Sequence, residues 1–219
     1  MSQLLGSSID SKNIELAKIL LSLRHDLDVH CLICANASKI NEASPGRFFL
    51  PHVSMRVLES IVLAICKVYE DEKKNYELNS VQGVLNSLSR RIPAPILDEP
   101  SVRGFVTHYA GPTEEADLLM ALQATFEQFK AKHGAELREF KTARDKLIAH
   151  SEYKAIVESV PSFDMMEKLF GFGADFYRAV SFSFVGCVPE NLKDRREIKR
   201  DFAKVLITIG IRDVKTEMT

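Results

Sequence analysis

From Ser11 to about Ile40 the apolar positions Ile14, Ala17, Leu20 or Leu21, Leu27 and Ile33 recur at helical spacing, with no proline or glycine between them. That pattern predicts one long first helix. Pro51 then sits where a first helical turn tolerates it, and Val53, Val57, Leu58, Ile61, Val62, Ile65 and Val68 form a broad stripe up to Tyr69. The width of the stripe predicts a second helix buried over much of its girth. The charged run from Glu70 to Asn75 closes it, and Asn79 with Gln82 reads as the cap of a short helix ending near Leu88.

Between Arg90 and Pro112 stand Pro93, Pro95, Pro100, Gly104 and Gly111, which argues against a long regular helix and leaves room for turns or one strand such as Gly104 to Tyr109. Thr113 followed by Glu114 and Glu115 predicts the cap of the next helix, where Leu118, Leu119, Leu122, Phe126 and Phe129 keep the period as far as His133. Gly134 breaks or bends it, and a further helix carries Leu137, Phe140, Leu147 and Ile148 towards His150. Ser162 caps a helix whose Met165, Leu169, Phe172, Phe176 and Val180 follow the four-and-three spacing of a bundle seam. Its Gly171 and Gly173 allow close approach or a bend. A last helix, from about Asp194 to residue 210, places Ile198, Phe202, Val205, Leu206 and Ile209 on one face and Arg195, Arg196, Lys199 and Arg200 on the others. The expected class is all-α: an antiparallel helical bundle with a Pro-rich insertion at 90–112 and a C-terminal amphipathic basic helix at 194–210, forming one domain over residues 1–219.

Composition narrows the function classes. The 219 residues are 46% apolar and 27% charged with a formal net charge of -1, so the chain can bury a sizeable core and does not hold nucleic acid by overall basicity. Neither an unbroken apolar run of about 18 residues nor a basic start followed by a long apolar stretch occurs, so a cytoplasmic protein without membrane partners is expected. Four cysteines do not make a disulfide scaffold. Cys31 and Cys34 lack the second ligand pair that a structural zinc needs, and no metal or cofactor is expected.

The segment Arg144-Asp145-Lys146-Leu147-Ile148-Ala149-His150 carries the candidate chemistry. Arg24 with His30, Arg47 with His52 and Arg103 with His108 show comparable spacing, but only Arg144 is followed by a polar residue, an apolar pair, a small residue and a histidine near a helix end. The segment resembles the Arg-x4-6-His signature of the HEPN superfamily (higher eukaryotes and prokaryotes nucleotide-binding). Together with a long first helix and Phe48-Phe49 leading into the helix Leu58 to Asp71, it resembles the abortive-infection U-type (AbiU-like) branch over roughly residues 11 to 185.

That resemblance implies metal-independent endoribonuclease activity in a prokaryotic defence or toxin system, in which a ribose 2′-hydroxyl attacks the adjacent phosphorus and leaves a cyclic phosphate. His150 would exchange the proton near neutral pH, Arg144 would hold the phosphate and the charge that builds on it, and Asp145 would orient them. Lys146, Arg90, Arg91, Arg103, Arg195, Arg196, Lys199 and Arg200 are the candidate RNA contacts, since each neutralised phosphate adds affinity. The resemblance also implies a homodimer, which matters because six residues place Arg144 and His150 about 120° apart and about 9 Å along a straight helix. An antitoxin protein is left open as a further partner.

The alternative reading is a non-catalytic helical dimer acting as a protein- or nucleotide-binding module. There Arg144 pairs with a carboxylate such as Asp145 or Glu139, and His150 merely favours the helix dipole. Tyr153, three residues after His150, departs from the Arg-x4-His-x-Tyr spacing of HEPN toxins whose tyrosine is modified, and is expected to be a packed aromatic.

Overall fold

The computed structural model of the chain describes residues 2–43, 46–71, 78–89, 98–113, 117–150, 160–189, 191–193 and 197–217, with the side chains of 2–10, 43 and 147–150 outside that description. Among these residues there are nine α-helices and no strand: α1 (Ser2–Ala35), α2 (Ala37–Ala43), α3 (Phe49–Tyr69), α4 (Val81–Ser89), α5 (Glu99–Ala110), α6 (Leu118–Lys132), α7 (Gly134–His150), α8 (Phe163–Val180) and α9 (Glu197–Thr208). One π turn, Ser181–Val185, extends α8 and ends at Gly186. The class is the all-α bundle that the periodicities predict.

The seam of α1 is Leu16, Leu20, Leu23 and Leu27, spaced four, three and four, each at most 1% exposed; Ile14, expected there, is 54% exposed. The predicted run to Ile40 breaks at Asn36. Its side-chain amide donates to the carbonyls of Leu32 and Lys215 (2.8 Å each), and its oxygen accepts from the Lys215 N–H (2.9 Å). A side chain that engages main chain in this way competes with helix propagation, so the chain turns and restarts as α2.

Helix α3 packs against α1, α7 and α8. Among the described residues it alone is long and apolar enough to cross a membrane by length and composition; here Leu58, Ile61, Val62, Ile65 and Val68 are buried in the bundle. The aromatic centre lies beside it. Phe129 and Phe172 stack at 3.8 Å, with Tyr69 and Tyr109 against both. Phe170, Phe172 and Phe176 of α8 are therefore core, as their spacing predicts. A Cβ on Gly173 would lie 2.9 Å from Leu20 Cδ2, so this glycine lets α8 approach α1 closely, whereas a Cβ on Gly171 would meet only Lys193 Nζ, at 4.0 Å.

Four local expectations change. The Gly104 to Tyr109 strand does not form; those residues belong to α5, because Pro100 occupies the first turn, where its missing N–H costs nothing, and Gly111 at φ +90° ends the helix. Ser80, not Asn79, caps α4, accepting from the Gly83 N–H at 3.1 Å, while Gln82 bonds Asn86. Asp117, not Thr113, caps α6, accepting from the N–H groups of Leu119 and Met120. On α9, Leu206 is buried with Phe202 and Ile209 packed about Leu32, Ile33, Ile40 and Leu50, but Val205 faces outward. Ser162 does cap α8 through the Met165 N–H, and α6 ends at His133, immediately before Gly134.

Candidate active site

Helix α7 leaves the His133–Gly134 corner and runs along α3. Its buried Phe140 and Ala143 hold it to the bundle, which turns the adjacent edge, Arg138, Lys141 and Arg144, to a cleft of about 580 Å³. The far side of this cleft is the C-terminal turn of α3, with Cys66, Tyr69, Glu70 and Asp71, and Lys130 of α6 closes one end. Residues three apart on a helix stand about 4.5 Å apart along its axis. The three cations of α7 thus make a short ladder beside the candidate motif.

Arg144 is held but not sealed. Its Nε and Nη2 donate to Asp145 Oδ1 at 3.0 and 2.9 Å, and Nη1 lies 3.7 Å from Glu70 Oε1. The guanidinium side chain keeps 21% of its surface, and its partners Asp145 and Glu70 keep 60% and 43%. Burial pulls the Arg144 pKa down, but the Asp145 hydrogen bond and the nearby negative charges outweigh it and leave the guanidinium firmly protonated. Burial pushes the Cys66 thiol up to about 11 against the opposing charge of Arg144, which favours the protonated form at neutral pH. Lys130 donates to Asp71 (2.6 Å) and sits 5.2 Å from the Phe126 ring centroid.

Helix α7 continues through His150, so Arg144 and His150 stay about 9 Å apart along its axis. The side chain of His150 lies outside the described residues, as do Tyr153, Arg90, Arg91, Arg195 and Arg196. Asp145 meets Arg144, a contact that both readings of the sequence allow. Lys146 is half-buried on α7 and does not line the cleft. Arg103 is bound to Glu99 on α5, and Lys199 and Arg200 line a different cleft. The structure therefore brings Arg144 and Asp145 together and keeps Arg103, Lys199 and Arg200 away from them.

Sequence reasoning missed Arg138, Lys141, Lys130 and Glu70. The signal was available for the first two: cations at 138, 141 and 144 fall on one edge of a helix whose apolar edge includes Leu137 and Phe140. Lys130 and Glu70 come from other helices, and no local pattern announces them.

A helical bundle that carries Arg144-Asp145 and His150 on one helix, with the arginine at a cleft, has the form of a HEPN domain. The sequence profile of the AbiU2 family of HEPN proteins matches residues 14–187, and the chain belongs to that abortive-infection-related family. The match runs across the Pro-rich stretch and stops before α9. No curated protein and no solved structure matches the chain.

Proposed function

We propose that the chain is a cytoplasmic, homodimeric, metal-independent endoribonuclease of a prokaryotic defence system, working at the Arg144 cleft. The observation that carries this reading is a guanidinium with about a fifth of its surface accessible, hydrogen-bonded to one exposed carboxylate, at a cleft that also presents Lys130, Arg138 and Lys141. Arg144 binds two non-bridging oxygens of the scissile phosphate with its planar fork, and the negative charge that develops on them strengthens those bonds in the transition state. Asp145 fixes the guanidinium plane. His150 moves the proton: as base it takes the 2′-hydroxyl proton while that oxygen bonds to phosphorus, or as acid it gives a proton to the departing 5′-oxygen. The products are a 2′,3′-cyclic phosphate and a 5′-hydroxyl. Because 9 Å of helix separates the two groups within one chain, a two-fold assembly that sets His150 of one protomer against Arg144 of the other completes the site.

The test is cleavage of a single-stranded RNA in excess chelator by wild type and His150→Ala, with the product ends identified. The proposal expects cyclic-phosphate ends and a loss of about 10² to 10⁴ in rate for the variant. Cleavage equal in both proteins, or lost only on removing metal, rejects it. One observation favours the second reading: Arg144 already has intrachain partners in Asp145 and Glu70, as expected of a non-catalytic module. A folded dimer with no turnover on any RNA supports that module instead.

A further inference from the structure

A second cleft of about 580 Å³ opens where α9 stands off from α1 and α8, and it shares no lining residue with the Arg144 cleft. The sequence of α9 dictates one wall. Phe202, Leu206 and Ile209 pack inward, so Arg200, Ala203, Lys204 and Ile207, about half a turn around the helix, face the cleft. The opposite wall is a rigid ionic floor: Arg24 donates to both oxygens of Glu167 and to Asp28 Oδ1, all at 2.7 Å, and burial leaves Asp28 Oδ2 and Arg24 Nε without hydrogen-bond partners among the described residues.

The cations above that floor are clustered and loosely held. Arg24, Lys193, Lys199, Arg200 and Lys204 line the cleft against Asp28, Glu167 and Glu217. Lys193 donates to Asp175 (2.6 Å), Lys204 donates to Asp201 (3.0 Å), and Arg200 Nε is 3.8 Å from Asp201. These are exposed pairs, worth about 0 to 1 kcal/mol each, and they exchange readily for a better anion. Lys199 meets no carboxylate within ion-pair distance among the described residues.

We infer that this cleft binds a phosphomonoester, its phosphoryl group held by Lys199, Arg200 and Lys204 and its organic body laid on Ala203 and Ile207. A phosphomonoester is close to a dianion at pH 7 and can replace Asp201 as the partner of Arg200 and Lys204 while also meeting Lys199, and Arg with Lys supplies a planar fork beside point charges. The volume suits a ligand of small-molecule size. The carboxylates of Asp28, Glu167 and Glu217 interrupt the cations, so the cleft lacks the continuous basic track that a nucleic-acid backbone requires. The same chemistry has two sources, a small phosphorylated molecule and the 5′-phosphate end of an RNA.

The experiment measures binding of phenyl phosphate and of phenol at matched ionic strength to the full chain, by calorimetry, in the Arg144→Ala background to weaken the other cleft, whose Lys130, Arg138 and Lys141 remain, so that a double variant in this cleft assigns the binding. Phenyl phosphate should bind and phenol should not. The Lys199→Gln, Arg200→Gln pair should weaken phenyl phosphate about ten- to a hundredfold without lowering the unliganded unfolding midpoint, since Arg200 is exposed and both substitutions keep a polar, cleft-lining side chain. Competition by a short 5′-phosphorylated RNA but not by its 5′-hydroxyl counterpart assigns the RNA end as the source; competition by neither assigns a small molecule. No binding of phenyl phosphate, equal binding of phenol, undiminished binding by the double variant, or equal competition by both RNAs overturns the proposal.

Discussion

Arg24 and Arg144 each stand six residues before a histidine, and the fold gives them opposite settings. Arg24 lies between α1 and α8 with 11% of its side chain exposed, clamped by Glu167 and by an Asp28 side chain that is itself 6% exposed. Its histidine, His30, is half-buried, with Nδ1 3.1 Å from Ser54 Oγ and its ring stacked on Phe163. Arg144 shows twice that exposure, and its carboxylate partners are open to solvent. The same spacing thus serves cohesion in one place and leaves a partly exposed, exchangeable cation at a cleft in the other. What separates them is the company: buried carboxylates satisfy a cation permanently, exposed ones leave it exchangeable.

The sharpest way to break this contrast is to remove each arginine. Arg24→Ala strands the buried carboxylate of Asp28 and should cost about 3 to 5 kcal/mol of stability, read by denaturant unfolding. A loss under about 1 kcal/mol would mean that the cluster is no keystone. Next in size is Gly173→Ala, on the contact between α8 and α1 that places Glu167 beside Arg24. The added methyl meets buried Leu20 Cδ2 at 2.9 Å; overpacking of about 1 to 3 kcal/mol, offset by about 1 kcal/mol of helix propensity, should leave a net loss of about 0 to 2 kcal/mol in the same assay, and a raised midpoint would show that the Leu20 side chain gives way freely.

Much of this was legible in the sequence, for stated physical reasons. Helix seams were readable because burial repeats every three to four residues, and Gly134 and Ser162 act through their own backbone and side chain. Capping was legible only approximately: Ser80 and Asp117 took the roles expected of Asn79 and Thr113, since neighbouring polar residues compete for the same N–H groups. The Pro-rich stretch misled, because Pro100 opens a helix as readily as other prolines break one. For the site, Arg144 and Asp145 could be read from one segment. Lys130 and Glu70 could not, as they reach the cleft from separate helices.

A smaller effect sharpens the histidine half of the comparison. Burial, partly offset by the Ser54 hydrogen bond, lowers the pKa of His30 below its ordinary 6.5. The folded state then binds fewer protons than the unfolded one, so its contribution to stability is present above about pH 6.5 and lost as the pH falls through the lowered value. Unfolding midpoints measured from pH 7 to 5 should decline in wild type and decline less in His30→Gln; identical slopes would exclude His30 as a source. The smallest effect belongs to Arg144→Ala, whose exposed pairs should be worth less than about 0.5 kcal/mol to the fold. A larger loss by chemical denaturation would move Arg144 into the same class as Arg24.

That stability-neutral variant makes the decisive comparison possible. Single-turnover cleavage of one RNA in chelator, by wild type and Arg144→Ala at equal folded concentration, reads the contribution of the guanidinium to the reacting phosphate alone. The account predicts a fall of about 10² to 10³ in the rate constant with an unchanged unfolding midpoint; equal rate constants in the two proteins would contradict it.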